Sequence, residues 1–402
     1  MRHRAFWPAA LIVAGVVAVS LAVSDAQAPP SQAPGRPGGG GQGPGGLRGR
    51  PGDGRTPEFP EPTITEYKPR STLKTAVHKV PRARFPVIDI HSHQPAPISD
   101  EQFARIIPGM DANNLRVLVN ASGTQGDRLV RAVAALQASR FKGRMVQFTD
   151  IDFRNVGPGW AAKAVAQLEA DKKAGALGIG EISKAFGLRI RKADGSRLTI
   201  DDPELDPVWE AAGRLGLPVL IHTAEPQEFF EPIDFQNERW LELALYRDRR
   251  YPKGEFPRFE ELIAERNRMF KKHPKTTFIA AHFAYHANDL ARMAALFDEM
   301  PNVYTEVGAI LAELGRQPRA AHEFFVKYQD RILFGKDSYQ PDEFPYYWRV
   351  FETNDEYFDY YRGYHAFWKL YGMGLPDDVL KKLYYKNALK LVPGLPAEGW
   401  PQ

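Results

Sequence analysis

From residue 85 onward, short apolar runs alternate with longer amphipathic stretches. A continuous apolar run of this length suits a strand buried on both faces, and the amphipathic stretches suit helices lying over such strands. The runs predict strands at 86–90, 115–120, 144–150, 177–182, 218–221, 277–281, 303–307 and 331–334. The helical stretches are 100–113, 128–141, 161–174, 203–215, 259–272, 288–299, 320–328 and 376–391. Asp100, Asp202, Asn288 and Asp377 stand where N-caps belong, since a short polar side chain there satisfies a free helix N–H. Strand then helix, eight times over in roughly 310 residues, favours a (β/α)8 barrel of the α/β class. The alternative is an open doubly wound sheet, which lacks its Gly-rich dinucleotide turn here. Two connections, 223–257 after the fifth strand and 338–375 after the eighth, are too long for a plain barrel and would roof the same mouth. The second is dense in aromatics. Most of these are expected in a small core of their own, with a few facing the pocket.

The polar residues at the strand ends change the picture. Strand side chains alternate between faces, so Asp89, His91 and His93 point the same way. Two imidazoles so placed can reach one metal ion through bonds of about 2.0–2.1 Å. Asp89, one pleat deeper, is placed to orient a ligand. The competing reading of a lone His-x-His is a strand end with two partly solvated imidazoles. Four further strands weigh against it, because Glu181, His222, His282 and Asp337 each follow directly on an apolar run. In a barrel these ends converge on one point.

Composition narrows the chemistry. The 402 residues include no cysteine, so a metal must be held by His and carboxylate, and neither a disulfide framework nor a Cys nucleophile exists. The formal charge is +4, but residues 1–60 hold six Arg against three acids, which leaves the remainder near neutral. A nucleic-acid footprint is not supported. Residues 1–28 look like an export signal: Arg2 and Arg4, an apolar run over 6–23, and Ala26-Gln27-Ala28 as a cleavage site. Pro29 would hinder cutting there, and Ala22-Val23-Ser24 is a second candidate. The competing reading is an uncleaved membrane anchor. The protein is accordingly expected to be exported, periplasmic or secreted in a bacterial host. Residues 29–80 read as a Pro/Gly-rich linker and lead-in, 81–392 as the barrel and 393–402 as a tail.

The set Asp89-x-His91-x-His93, Glu181, His222, His282 and Asp337 resembles the amidohydrolase superfamily. It is most similar to the amidohydrolase-related branch ("amidohydrolase 2"), which includes the aminocarboxymuconate-semialdehyde decarboxylase-like enzymes. Ala280-Ala281-His282-Phe283, Ile332 to Asp337 and Lys386-Asn387-Ala388 fit the same branch. The resemblance implies that His91, His93, His222 and Asp337 bind one divalent metal, typically zinc, with His282 beside it as acid/base or oxyanion partner. If Glu181 is also a ligand, as the fourth-strand carboxylate is in two-metal members, a second ion follows and His222 and His282 could move to it. Lys336 replaces the usual Thr or Ser before the last Asp, which removes that residue's hydroxyl. Many relatives pair, so a homodimer stays open.

These residues suit attack by metal-activated water on an amide, ester or lactone of a small molecule. Asp337 would take the water's remaining proton and pass it to the leaving group. His282 would stabilise the oxyanion or protonate the leaving atom. Glu306 is expected to touch substrate, hold a ligand or simply anchor a loop. Lys184 and Lys336 would neutralise an acidic substrate or pair with Glu181 and nearby acids. His286 and His322 read as solvated, and His78 and His273 receive no role; Glu238, Arg239, Arg247, Arg249 and Arg250 in the first long loop read as a solvated helix face, with the arginines binding an anionic group as the competing reading. Two rivals remain: a non-oxidative decarboxylase using the same metal site, and a silent binding protein on a barrel scaffold.

Overall fold

A computed structural model describes residues 63, 66–364 and 368–401. The chain divides into two compact units, Met1–Ser71 and Thr72–Gln402. In the first, the backbone N–H and hydroxyl of Thr63 both donate to the Glu66 carboxylate, closing a local turn. The expected export segment 1–28 and the linker up to 62 lie outside the described residues, as does Phe367 of the aromatic insertion.

The second unit begins with an irregular lead-in and then alternates strand and helix. The strands are β1 Val87–Ser92, β2 Leu115–Asn120, β3 Met145–Gln147, β4 Ile179–Ile182, β5 Val219–Ile221, β6 Phe278–Ala280, β7 Val303–Glu306 and β8 Ile332–Leu333. All pair in parallel, as a sheet β1-β2-β3 and a sheet β4-β5-β6-β7-β8. Bridges Thr149↔Ile179 and Ser92↔Asp337 join the two sheets at both seams and close the cylinder. The seams carry ladder bonds: Gly180 N–H donates to Thr149 O at 2.7 Å, and Asp337 N–H to His91 O at 2.7 Å. Strand β1 is buried along its whole length, as the continuous apolar reading requires. Among the described residues no helix is long and apolar enough to cross a membrane.

Helices Asp100–Asn113 and Phe259–Lys272 lie where the pattern places them. The N-caps differ. Ser99, not Asp100, caps the first helix, in a reciprocal box with Gln102, and Asp289 rather than Asn288 caps Leu290–Glu299. Asp377 is the first residue of its helix, after Pro376. In each case the neighbouring side chain sits one residue off the cap position, a distinction that periodicity does not make. The last helical stretch carries a π-type turn at Lys382–Lys386 in its middle.

The insertion after β8 departs from expectation in one respect. The aromatics of its helix Phe344–Glu352 pack on one another, as Phe344 does on Trp348, but the same side chains also join the barrel: the Trp348 ring lies 4.9 Å from that of Phe334, just after β8, and 5.3 Å from that of Tyr384. A third long connection, 183–202 after β4, completes the roof; a bridge Arg191↔Arg197 folds it into a short arm.

Candidate metal centre

The C-terminal strand ends bring most of the expected side chains to one place. After β8 the chain must pass close to β1 and β7, and Gly335 allows it. A Cβ there would lie 2.8 Å from Glu306 Oε2 and 2.9 Å from His91 Cβ. Two residues on, Asp337 takes a φ of 74°, in the left-handed region. After β6, His282, Phe283, Ala284 and Tyr285 all take φ of 55–56°, a complete left-handed turn. Such a run costs L-residues about 1–2 kcal/mol per residue. It is held by Arg266, whose guanidinium donates to Ala284 O at 2.8 Å, and by Glu306, which accepts from His282 N–H at 2.6 Å. Backbone strain of this kind concentrates at functional sites.

Five side chains then face one another. His91 Nε2 lies 3.2 Å from His93 Nε2, 3.4 Å from Glu181 Oε2 and 3.7 Å from Asp337 Oδ1. His93 Nε2 lies 3.3 Å from each of the same two oxygens. Bonds of about 2.0–2.1 Å to a tetrahedral ion put ligand atoms about 3.3–3.4 Å apart, so these separations are the edges of a cation-sized hole. His91, His93 and Asp337 form one group with metal-ligand spacing, and His91, Glu181 and His282 form another.

Hydrogen bonds fix which ring nitrogens face the hole. His91 Nδ1 lies 3.3 Å from Glu306 Oε1, and His282 Nδ1 lies 2.9 Å from Gly308 O. A carbonyl, and a carboxylate that already accepts backbone N–H groups, can only accept; so each Nδ1 carries a hydrogen, and Nε2 is the nitrogen left to face the hole, where a cation would replace a proton. Burial works against the His91 imidazolium, but the Glu181 and Glu306 carboxylates outweigh it and hold its pKa well above the ordinary value. Burial likewise pushes the carboxyls of Glu181 and Asp337 up, and the surrounding imidazoles more than reverse this, keeping both ionised. The hole therefore favours positive charge. The chemistry of three imidazoles and two carboxylates fits a borderline-soft divalent ion such as zinc.

His222, which the resemblance implies as a ligand, lies in neither group. Its Nδ1 is 2.8 Å from Glu181 Oε1, and its Nε2 is 2.7 Å from the Tyr285 hydroxyl. That hydroxyl donates to Glu225 Oε2 at 3.0 Å, and Lys184 Nζ donates to Glu225 Oε1 at 2.9 Å. Glu181, His222, Glu225 and Lys184 thus alternate in charge along one chain. Burial disfavours the His222 imidazolium, yet Glu181 and Glu225 raise its pKa to about 9; the Glu225 carboxyl, pushed up by burial, is drawn down to about 2 by His222 and Lys184.

The remaining expected residues fall as follows. Asp89 is buried and holds backbone rather than a ring: its Oδ1 accepts from His91 N–H at 3.1 Å and Lys336 N–H at 3.0 Å, which ties β1 to the turn after β8. Burial pushes its carboxyl up to about 7. Glu306 is buried beneath the hole. Lys184 pairs with Glu225, and Lys336 with Glu343 at 2.6 Å, so neither contacts Glu181. His286 is buried at 2 % exposure beside Arg266, not solvated, and His322 Nδ1 bonds Met373 O at 2.8 Å. Arg239 is buried between Glu242 and Glu313 rather than on a solvated face. Sequence reading missed Tyr285 and Glu225, each three residues beyond a strand-end histidine. It also missed Asp150 after β3. Asp150 lines a cavity of about 350 Å³ with Ser183 and Phe186, and burial raises its carboxyl to about 6.

The amidohydrolase family model ("amidohydrolase 2") matches residues 81–394. No curated protein matches. Among solved structures, an uncharacterised TIM-barrel protein from Bordetella bronchiseptica is 14% identical, covering 76% of this chain and 98% of its own, with a TM-score of 0.46. An amidohydrolase from Mycobacterium avium subsp. paratuberculosis is 17% identical over 72% of each chain, with a TM-score of 0.39. An amidohydrolase from Burkholderia multivorans with bound zinc is 15% identical, covering 77% of this chain and all of its own, with a TM-score of 0.29. With the family model spanning the barrel from its lead-in to its last helix, the chain belongs to the amidohydrolase family.

Proposed function

We propose that this protein is an exported, metal-dependent hydrolase that cleaves a C–N or C–O bond of a small molecule. The observation that carries this is the spacing of His91 Nε2, His93 Nε2, Glu181 Oε2 and Asp337 Oδ1, 3.2–3.7 Å along the edges that meet at the two histidines. His91, His93 and Asp337, with Glu181, would hold the ion. A divalent ion there supplies Lewis acidity and lowers the pKa of bound water to about 7. Asp337, kept ionised by the imidazoles around it, accepts a proton from the attacking water and returns it to the leaving group. His282, with Nδ1–H held by Gly308 O, would accept or relay a proton at Nε2. The chain Glu181–His222–Tyr285–Glu225 holds the fourth-strand carboxylate in place. The test is turnover of an amide, ester and lactone panel, with elemental analysis of the same preparation. About one zinc-like ion per chain and a released acid support the reading. Release of CO2 without water addition would instead make the protein a decarboxylase. Export is tested by N-terminal sequencing of protein recovered from outside the cytoplasm.

A further inference from the structure

Beside the metal centre, the loop after β3 and the arm after β4 wall the cavity of about 350 Å³ that Asp150 lines with Ser183 and Phe186. Backbone ties this cavity to the centre. Asp150 follows Thr149, whose carbonyl accepts from Gly180 N–H at 2.7 Å, and Gly180 directly precedes Glu181. Glu181 N–H in turn donates to Ala121 O at 2.8 Å. Two residues beyond Ala121, a Cβ on Gly123 would lie 2.6 Å from Asp150 Oδ2. The Asp150 carboxylate and the Glu181 backbone therefore rest on the same short segment after β2. Ser183, two residues past Glu181, lines the cavity itself.

Asp150 is only half satisfied. Its Oδ1 accepts from Ile151 N–H at 2.8 Å. Its Oδ2 takes no hydrogen bond among the described residues, yet it is not sealed in, so it opens on the cavity. Two cations stand nearby, and neither meets it. Arg154, on the same cavity, is held by Asp152 through Nε and Nη2 at 2.5–2.9 Å, so those two charges cancel. Exposed Lys163 lines a neighbouring cavity that shares Asp150, and no ion pair joins the two among the described residues. The cavity beside Ser183 thus carries one unmatched negative charge. Burial raises the Asp150 carboxyl to about 6, as expected of a carboxylate short of partners. Phe153 and Phe186, stacked at 4.7 Å, add an apolar wall. An open carboxylate oxygen takes N–H donors most strongly from a charged group, and aromatic walls tolerate a cation.

We infer that Asp150 binds a protonated amine of the substrate in this cavity, so that the hydrolase acts on an amino-bearing molecule. This rests on the proposed function in taking this mouth as the active site. The test is calorimetric titration of the full chain at neutral pH with benzylamine and with its neutral counterpart benzyl alcohol, before and after removal of metal by a chelator. Benzylamine should bind in both forms, and Asp150→Asn should weaken it by about 10-fold or more, the size of a lost charge-assisted hydrogen bond. Gly123→Ala, which sets a methyl group against Oδ2, should weaken it several-fold. Benzyl alcohol should bind more weakly than benzylamine and be indifferent to Asp150→Asn. Equal benzylamine affinity in wild type and Asp150→Asn, no measurable binding, benzyl alcohol binding as tightly as benzylamine, or binding that vanishes with the metal and ignores Asp150 would each overturn the inference. Thermal melting of both variants confirms that each is folded. Asp150-dependent binding in a protein that proves to hold no metal would leave this site standing while the hydrolase reading falls. An active, metal-loaded hydrolase whose benzylamine binding ignores Asp150 would remove only this site.

Discussion

Two arcs of the barrel mouth carry the same residue types and use them differently. On the arc formed by β1, β4 and β8, His91, His93, Glu181 and Asp337 turn lone pairs toward a shared hole. On the β5 arc, His222 and Glu225 are buried, yet every charge there already meets its opposite: Lys184, exposed after β4, pairs with Glu225, and Tyr285 closes the chain. What separates the arcs is what stands behind each ring. His91 and His282 have acceptor-only partners at Nδ1, which frees Nε2; both nitrogens of His222 are occupied. A histidine at a strand end is a candidate ligand, and its back-side partner decides whether it is an available one.

The comparison breaks most sharply at Asp337. Asp337→Asn should cut kcat/KM by about 10²–10⁴-fold, the usual worth of a positioned acid/base. Activity within a few-fold of wild type would return Asp337 to a structural role. Next come the histidines of the two arcs. His93→Ala should lose the ion on dialysis, whereas His222→Ala, acting through Glu181, should lower metal affinity by no more than about 10–100-fold. Equal metal loss, measured by elemental analysis across a chelator series, would erase the distinction between the arcs.

The Asp150 carboxylate sharpens the contrast, because among the described residues no cation pairs with it. Asp150 accepts only from Ile151 N–H, at 2.8 Å, and burial raises its carboxyl to about 6. A raised carboxyl contributes stability that is fully present below its unfolded value near 3.8 and is lost as pH rises through 6. Asp150→Asn should therefore melt with wild type at pH 4 and above it at pH 7, by at most about 3 kcal/mol. A gap that narrows as pH rises would contradict the cause assigned to the shift. The smallest effect concerns the glycine that serves only the converging arc. Gly335→Ala crowds Glu306 and His91, and should cost about 1–3 kcal/mol of stability by thermal melting.

Much of this was legible in the sequence, for a physical reason. Parallel strands buried on both faces are written as continuous apolar runs, so all eight appear, and the polar residue that ends each run is placed by the barrel's own geometry. Asp337, His91 and Glu181 were visible that way. Tyr285 and Glu225 were not, because each follows its strand by a turn. The left-handed run His282–Tyr285 leaves no Gly signature to read. Lys336 and Arg239 were visible as charges but not as buried ion pairs, since their partners Glu343 and Glu313 come from other parts of the chain. The 183–202 arm was absorbed into the strand-to-helix spacing around it.

The most direct test is an anomalous-scattering map of the protein crystallised with its own metal. The account predicts one ion within about 2.0–2.2 Å of His91 Nε2, His93 Nε2 and a carboxylate oxygen of Asp337, with His222 still bonded to Tyr285. A map with no peak between these residues, or with the ion bonded to His222 Nε2 and Tyr285 displaced, would contradict it.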